Sequence, residues 1–139
     1  MVVMKNYVPD EGDIVWLEFS PQSGHEQAGR RPALVLSSAK YNSLTGLMLC
    51  CPMTTQIKGY PFEVKVPGLK DSVVLADHIK NQDWKSRKAQ FKEKAPQFVM
   101  DEVRAKVITL IGCEWLLSDQ TNNEVCSQQV NGYDHAIPS

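Results

Sequence analysis

No stretch of this chain approaches the roughly 18 consecutive apolar residues that a membrane-spanning helix needs. Its first residues, Met1-Val2-Val3-Met4-Lys5-Asn6-Tyr7, lack the long apolar core and small-residue cleavage site of a secretory signal. The expected location is therefore the cytoplasm, with no membrane partner. Cysteine is sparse and badly spaced for bridging or metal: Cys50 and Cys51 are adjacent, Cys113 and Cys126 lie far along the chain, and no C-x-x-C occurs. Four unbridged thiols are expected, with Cys50 and Cys51 on opposite faces if their segment is a strand. The three histidines, His25, His78 and His135, are scattered, so a histidine pair for acid–base catalysis is not indicated. There is no phosphate-binding G-x-x-x-x-G-K-[ST], no G-x-G-x-x-G, no H-E-x-x-H and no recognisable serine–histidine–aspartate context. No carboxylate cluster suggests a two-metal site. An enzyme built from this chain is expected to use neither metal nor cofactor.

What is present fits one folded domain. The chain has 139 residues, 42% hydrophobic and 22% charged. Its net charge of -1 hides an asymmetry. All the Lys and Arg residues fall within positions 1–112, whereas positions 113–139 carry only acidic charges, Glu114, Asp119, Glu124 and Asp134. Residues 1–112 are expected to form the domain, and 113–139 an acidic, polar extension. Lys80, Lys85, Arg87, Lys88, Lys92 and Lys94 crowd together, which suits either a polyanion-binding face or a solvated strand pair and its loop.

Ile14–Phe19 is β-branched and aromatic and predicts a strand, after a turn-rich lead-in at residues 7–13. A polar loop precedes a second strand over Arg31–Ser37, whose proline sits near its start. Residues 38–45 read as a connector with at most one helical turn. Leu47–Thr54 is an apolar strand with a polar end, residues 59–66 turn into an alternating strand, and Ser72–Asp77 is another short one. After Pro96 the period changes: Val99, Val103, Val107 and Leu110 or Ile111 recur every three or four residues, an amphipathic helix with Gly112 as its stop. Several short strands and one closing helix predict a mainly β fold, a small twisted barrel or strongly curved sheet.

The remaining polar residues fall into two groups. Glu26, Arg30 and Arg31 precede or open the second strand; Thr54, Thr55, Gln56 and Lys58 end the third. If these strands are neighbours, both groups reach one rim, where arginine's forked donors can clamp a phosphate and threonine can add a hydroxyl bond. Spacing alone favours a surface arginine beside a surface threonine over such a clamp.

These same residues carry a family likeness. Tyr7-Val8-Pro9-Asp10-Glu11-Gly12-Asp13-Ile14, the run from Glu26 through Gly29-Arg30-Arg31-Pro32 to Ser37, Pro52-Met53-Thr54-Thr55-Gln56, Lys58-Gly59-Tyr60-Pro61-Phe62-Glu63-Val64 and Leu75-Ala76-Asp77-His78-Ile79 together resemble the MazF/PemK/Kid family of toxins, the mRNA interferases. The likeness runs in order over about residues 5–112. It implies an SH3-like barrel with a C-terminal helix, working as a homodimer. It also implies metal-independent cleavage of single-stranded RNA at short sequences, the ribose 2′-OH attacking the adjacent phosphate to leave a cyclic phosphate and a 5′-OH. By the resemblance Arg31 is the proton-transfer and transition-state-stabilising residue, Thr54 holds the scissile phosphate, and Glu26 assists orientation or proton transfer. His25, next to Glu26, is not required by the motif and reads as a loop or substrate contact.

Asn42, Gln56, Lys58, Asp77 and His78 are candidates for base contacts, with Arg30, Lys85 and Arg87 for the RNA backbone. The family likeness further implies a cognate antitoxin whose acidic, flexible segment binds on the same side. The acidic extension suggests a fold-back onto that cleft. The resemblance also implies a preference for cutting at A-C-A. Two rivals remain: a non-enzymatic toxin on the same fold, resembling CcdB, that poisons gyrase, and an RNA-binding barrel without catalysis. The R-P and T-T-Q pieces weigh against the first.

Overall fold

The computed structural model describes residues 6–19, 29–68 and 70–112. Glu26, His25, His135, Cys113, Cys126 and the 113–139 extension lie outside the described residues. The elements are β1 (Asp13–Phe19), β2 (Gly29–Val35), α1 (Ala39–Thr45), β3 (Leu47–Thr54), β4 (Glu63–Val66), β5 (Ser72–Leu75), β6 (Lys80–Asp83), β7 (Gln90–Lys94) and α2 (Gln97–Ile111). The seven strands form one curled sheet in the order β4-β5-β3-β2-β1-β7, with β6 paired to β3. The protein is mainly β, a curled half-barrel sheet with the C-terminal helix α2 packed on one face, as the sequence predicts.

Alternation along each strand gives the sheet two apolar faces. Ile14, Leu34, Cys51, Met53, Val64 and Val74 point one way and meet Val99, Met100 and Val103 of α2. Val15, Leu17, Ala33, Val35, Met48 and Cys50 point the other way and gather around Trp84, with Tyr7, Val8, Phe19 and Ala89 at the margin. Cys50 and Cys51 therefore sit on opposite faces, unbridged. Burial pushes both thiols up to about 12, so neither is a nucleophile at neutral pH.

The helical pattern after Pro96 holds for its first two turns. Val99 and Val103 are buried and Val107 is half-buried, but Leu110 and Ile111 at the end are exposed. Gly112 stops the helix, its N–H bonding to the Ile108 carbonyl at 2.8 Å. The crowded basic stretch becomes a strand, a turn and a strand, but β6 pairs with β3 and β7 with β1 rather than with each other.

Residues 38–45 are more ordered than expected. They form a seven-residue helix whose Ser38 hydroxyl caps Tyr41 N–H and whose Gly46, at φ 75°, closes the end. Its Asn42 is fully buried. The Asn42 amide donates to the carbonyls of Pro9 (2.7 Å) and Ser37 (3.1 Å) and accepts from the Ser37 hydroxyl (2.6 Å). Its backbone carbonyl accepts from the Trp84 indole at 2.9 Å. The RNA contact expected of Asn42 is thus corrected: every donor and acceptor of its side chain is spent joining the lead-in, the end of β2 and the α1 helix. A second internal anchor is Asp13, almost fully buried, which takes bonds from the Tyr7 hydroxyl (2.6 Å), Asp10 N–H (3.0 Å) and the Lys94 ammonium (2.6 Å). Burial, then the bond to Asp13, raises the Tyr7 phenol above its usual range.

Candidate active site

β2 and β3 pair over Ala33↔Pro52, Leu34↔Cys51 and Val35↔Cys50. Carrying that antiparallel register two residues further sets Arg31 opposite Thr54. The ladder ends before it reaches them, since Pro52 has no N–H to extend it; Arg31 stays paired with Leu17 of β1, and Met53 and Thr54 with Val74 and Val73 of β5. Beyond the last β2–β3 pair lies a cavity of about 300 Å³, lined by Arg31 of β2, Thr54 of β3, the segment from Gln56 to Glu63, and Leu75, Asp77 and His78. Because side chains alternate, Arg31 shares the face of Ala33 and Val35, and Thr54 that of Pro52 and Cys50. Both residues look into the same space from facing strands.

Six residues expected from sequence line this cavity: Arg31, Thr54, Gln56, Lys58, Asp77 and His78. The Arg31 guanidinium has no hydrogen-bond or ion-pair partner among the described residues. The Thr54 hydroxyl accepts from Gln56 N–H at 3.0 Å, which leaves its own hydrogen for a ligand oxygen. Asp77 and His78 lie at the mouth, exposed, with His78 Nε2 3.7 Å from Asp77 Oδ1. The arrangement is a half-buried guanidinium and a hydroxyl donor lining one cavity, with a lysine in the same lining. This is donor-rich chemistry suited to a phosphoryl group. Among the described residues no group of three or more His, Cys, Asp or Glu side chains is placed to hold a metal ion.

Arg30, Lys85 and Arg87 are not brought to the cavity. Arg30 rises from the opposite face of β2. It reaches Glu18 (3.5 Å), the Lys88 carbonyl (3.2 Å) and the Gln90 amide oxygen (2.9 Å), and so ties β1, β2 and the start of β7 together. Arg87 donates to the Glu18 carbonyl at 3.1 Å, in the turn between β6 and β7. Lys85 in that turn lies over the Trp84 ring, 5.4 Å from its centroid. Lys80 is paired opposite Cys50 and so shares the Thr54 face of β3. Against the dominant effect of burial, the charges of Lys80 and Arg87 both pull the Cys50 thiol down.

Tyr60, Phe62, Glu63 and Leu75 also line the cavity. Their segment, Lys58-Gly59-Tyr60-Pro61-Phe62-Glu63, is part of the motif quoted above, but only its lysine carries an expected role. The legible signal was an aromatic pair beside a glycine and a proline, next to a lysine in a polar loop.

The described chain matches known proteins closely. Residues 10–111 match the family described as PemK-like, MazF-like toxin of type II toxin-antitoxin system. The chain belongs to this family. The endoribonuclease toxin MazF of Escherichia coli (strain K12) is 48% identical over 111 residues, which cover 79% of this chain and all of that protein. A crystal structure of MazF from Deinococcus radiodurans is 57% identical with a TM-score of 0.71, covering 77% of this chain and 99% of its own. A MazE-MazF structure from the same organism gives the same identity and TM-score, covering 76% and 97%. The chain is a MazF-like endoribonuclease toxin, and the gyrase-poisoning and non-catalytic readings are disfavoured. Among the described residues no helix is long and apolar enough to cross a membrane.

Proposed function

We propose that this toxin cuts single-stranded RNA at the cavity lined by Arg31 and Thr54, with these two as its catalytic residues. The observation that carries the reading is their convergence from facing strands, with the Arg31 guanidinium left without a protein partner among the described residues. In the reaction the ribose 2′-oxygen bonds to the adjacent phosphorus and the bond to the 5′-oxygen breaks. The products are a cyclic phosphate and a 5′-OH end. Negative charge grows on the phosphoryl oxygens, so fixed donors favour the transition state over the ground state. A guanidinium stays protonated at neutral pH, so Arg31 acts as donor and charge stabiliser. Thr54 gives its hydroxyl hydrogen to a phosphoryl oxygen. Glu26, outside the described residues, is assigned to orientation or proton transfer on the family likeness alone.

Gln56, Lys58, Asp77 and His78 contact bases, and Lys80 with Arg87 lines the approach of the phosphate backbone on the same face of β3. A-C-A is the proposed cut site. The protein works in the cytoplasm as a homodimer through residues 1–112, the 113–139 extension standing outside the catalytic domain. The Deinococcus radiodurans relative was crystallised as MazE-MazF, which supports an antitoxin partner for this chain too, with an acidic segment that competes with RNA for the cavity.

The test is incubation of the purified chain with a long single-stranded RNA in EDTA, followed by mapping of the cut ends. Discrete cuts with 5′-OH ends, abolished in Arg31→Ala, are expected. Absence of cuts, or cuts that survive Arg31→Ala unchanged, would overturn the assignment.

A further inference from the structure

The chain between Thr54 and Glu63 carries four cavity side chains, Gln56, Lys58, Tyr60 and Phe62, yet it has no regular secondary structure to hold it. Its shape depends on a few bonds. Thr54 holds Gln56 N–H, and Lys106 of α2 donates to the Pro61 carbonyl at 2.7 Å. The central hold is Glu63, the first residue of β4. Its carboxylate takes Lys58 N–H at 3.0 Å on one oxygen and Gly59 N–H at 2.9 Å on the other. Gly59 has φ +82°, a conformation that lets consecutive N–H groups turn toward one anion. The loop has thus formed an anion-binding nest and filled it with its own carboxylate.

Above this nest the Lys58 ammonium lies 5.9 Å from the centroid of the Tyr60 ring, which is 62% exposed. An exposed aromatic with a cation at its face offers a stacking surface to an unpaired base. We propose that Glu63 is a positioning residue for base recognition. Through the N–H groups of Lys58 and Gly59 it fixes where Lys58 and Tyr60 meet a nucleotide beside the scissile phosphate. It does not touch RNA itself. Only a carboxylate meets both donors, because a glutamine presents one acceptor oxygen and an amide that repels the second N–H. This inference rests on the endoribonuclease reading above.

The test compares the full-length chain with Glu63→Gln, Lys58→Ala, the Glu63→Gln/Lys58→Ala double variant and Gly59→Ala, reading kcat and KM on a short oligonucleotide and the cut-site map on a long RNA. The KM of Glu63→Gln should rise about tenfold, the size of one lost stacking or base contact, while kcat stays within about threefold and the cut sites broaden. In the Lys58→Ala background the same substitution should add little, since its effect runs through the loop. A residue that merely stabilised the fold would lower the active fraction, so kcat would fall with KM and cut sites unchanged; that result overturns the proposal. Gly59→Ala disturbs the same nest without touching Glu63, and a new Cβ there meets nothing within 4 Å. It carries the test if Glu63→Gln does not fold: a wild-type KM and cut map in Gly59→Ala would also overturn the proposal. A wild-type chain that cuts no RNA overturns the endoribonuclease reading and this inference together. A wild type that cuts alongside an unaltered Glu63→Gln overturns this inference alone.

Discussion

Arg30 and Arg31 are neighbours in the chain and opposites in the fold. Arg30 points to one face of β2 and has three partners there, Glu18, the Lys88 carbonyl and Gln90. Arg31 points to the other face, into the cavity, and has none among the described residues. Among the described residues, the fold has used one guanidinium as a strut and left the other with its donors open. Holding an unpaired, half-buried cation is unfavourable for folding, because its donors lose water without gaining partners. A polar group left in that condition is a reasonable place to look for chemistry, and one fully satisfied is a reasonable place to look for architecture.

The comparison breaks most directly at Arg31. Arg31→Ala should lower kcat by about 10²–10³-fold, the usual cost of losing one donor aimed at developing oxyanion charge. Its thermal midpoint should stay level or rise. Single-turnover cleavage and a melting curve together check this, and a midpoint falling by many degrees would show that Arg31 is a strut after all.

Asn42 tests the satisfied class at its extreme. Asn42→Ala removes three side-chain hydrogen bonds and orphans the Pro9 and Ser37 groups in the interior, so a loss of about 2–4 kcal/mol of stability is expected. Denaturant titration reads the loss. Cleavage per folded molecule should remain within about twofold, since Asn42 contacts no solvent. A raised KM at full stability would restore the RNA contact that its burial contradicts.

Thr54 falls between the two classes, because its oxygen is engaged by Gln56 N–H while its hydrogen is open. Thr54→Ala should cost about 10–100-fold in kcat, for one neutral donor in place of a charged one. Thr54→Ser, which keeps the hydroxyl, should recover most of the rate. Failure of serine to do so would mean that the methyl group, not the donor, is what the site needs. Arg30→Ala then gives the smallest effect among the arginines. Its ion pair with Glu18 is partly exposed on both sides, so a loss under about 1 kcal/mol is expected, with cleavage unchanged.

The sequence makes the two strands that carry Arg31 and Thr54 visible, and β3 is read to its ends, because an apolar run bounded by turn residues is a local signal. The position of α2 is equally local, set by Pro96, the spaced valines and Gly112. What misleads is non-local. Asn42 looks like a polar connector residue; its burial depends on Pro9 and Trp84, far away in the chain. Alternation says that Arg30 and Arg31 face opposite ways, but not which face opens into the cavity. That depends on which residues of the segment from Gln56 to Glu63 and of β5 gather beside the end of β3. Glu63 was invisible as a loop anchor for a similar reason. Its role needs the coordinates of two N–H groups four and five residues earlier, which no spacing rule supplies.

The least effect is expected from removing residues 113–139. Truncation after Gly112 keeps the bond from Gly112 N–H to the Ile108 carbonyl, and Leu110 and Ile111 beside it are already exposed, so the melting midpoint should not move. For activity the argument is electrostatic. The removed segment carries Glu114, Asp119, Glu124 and Asp134 and no lysine or arginine, so any fold-back would be driven by attraction to basic groups. The cavity itself offers Arg31 and Lys58 against Asp77 and Glu63, a balance of signs rather than a basic well. At physiological salt, charges more than about 8 Å apart are largely screened. Cleavage by the truncated chain should therefore match the full chain within about twofold, an estimate for screened surface charge. A several-fold gain on truncation at low salt, fading as salt is raised, would identify the extension as an acidic brake on the same open guanidinium that sets Arg31 apart from Arg30.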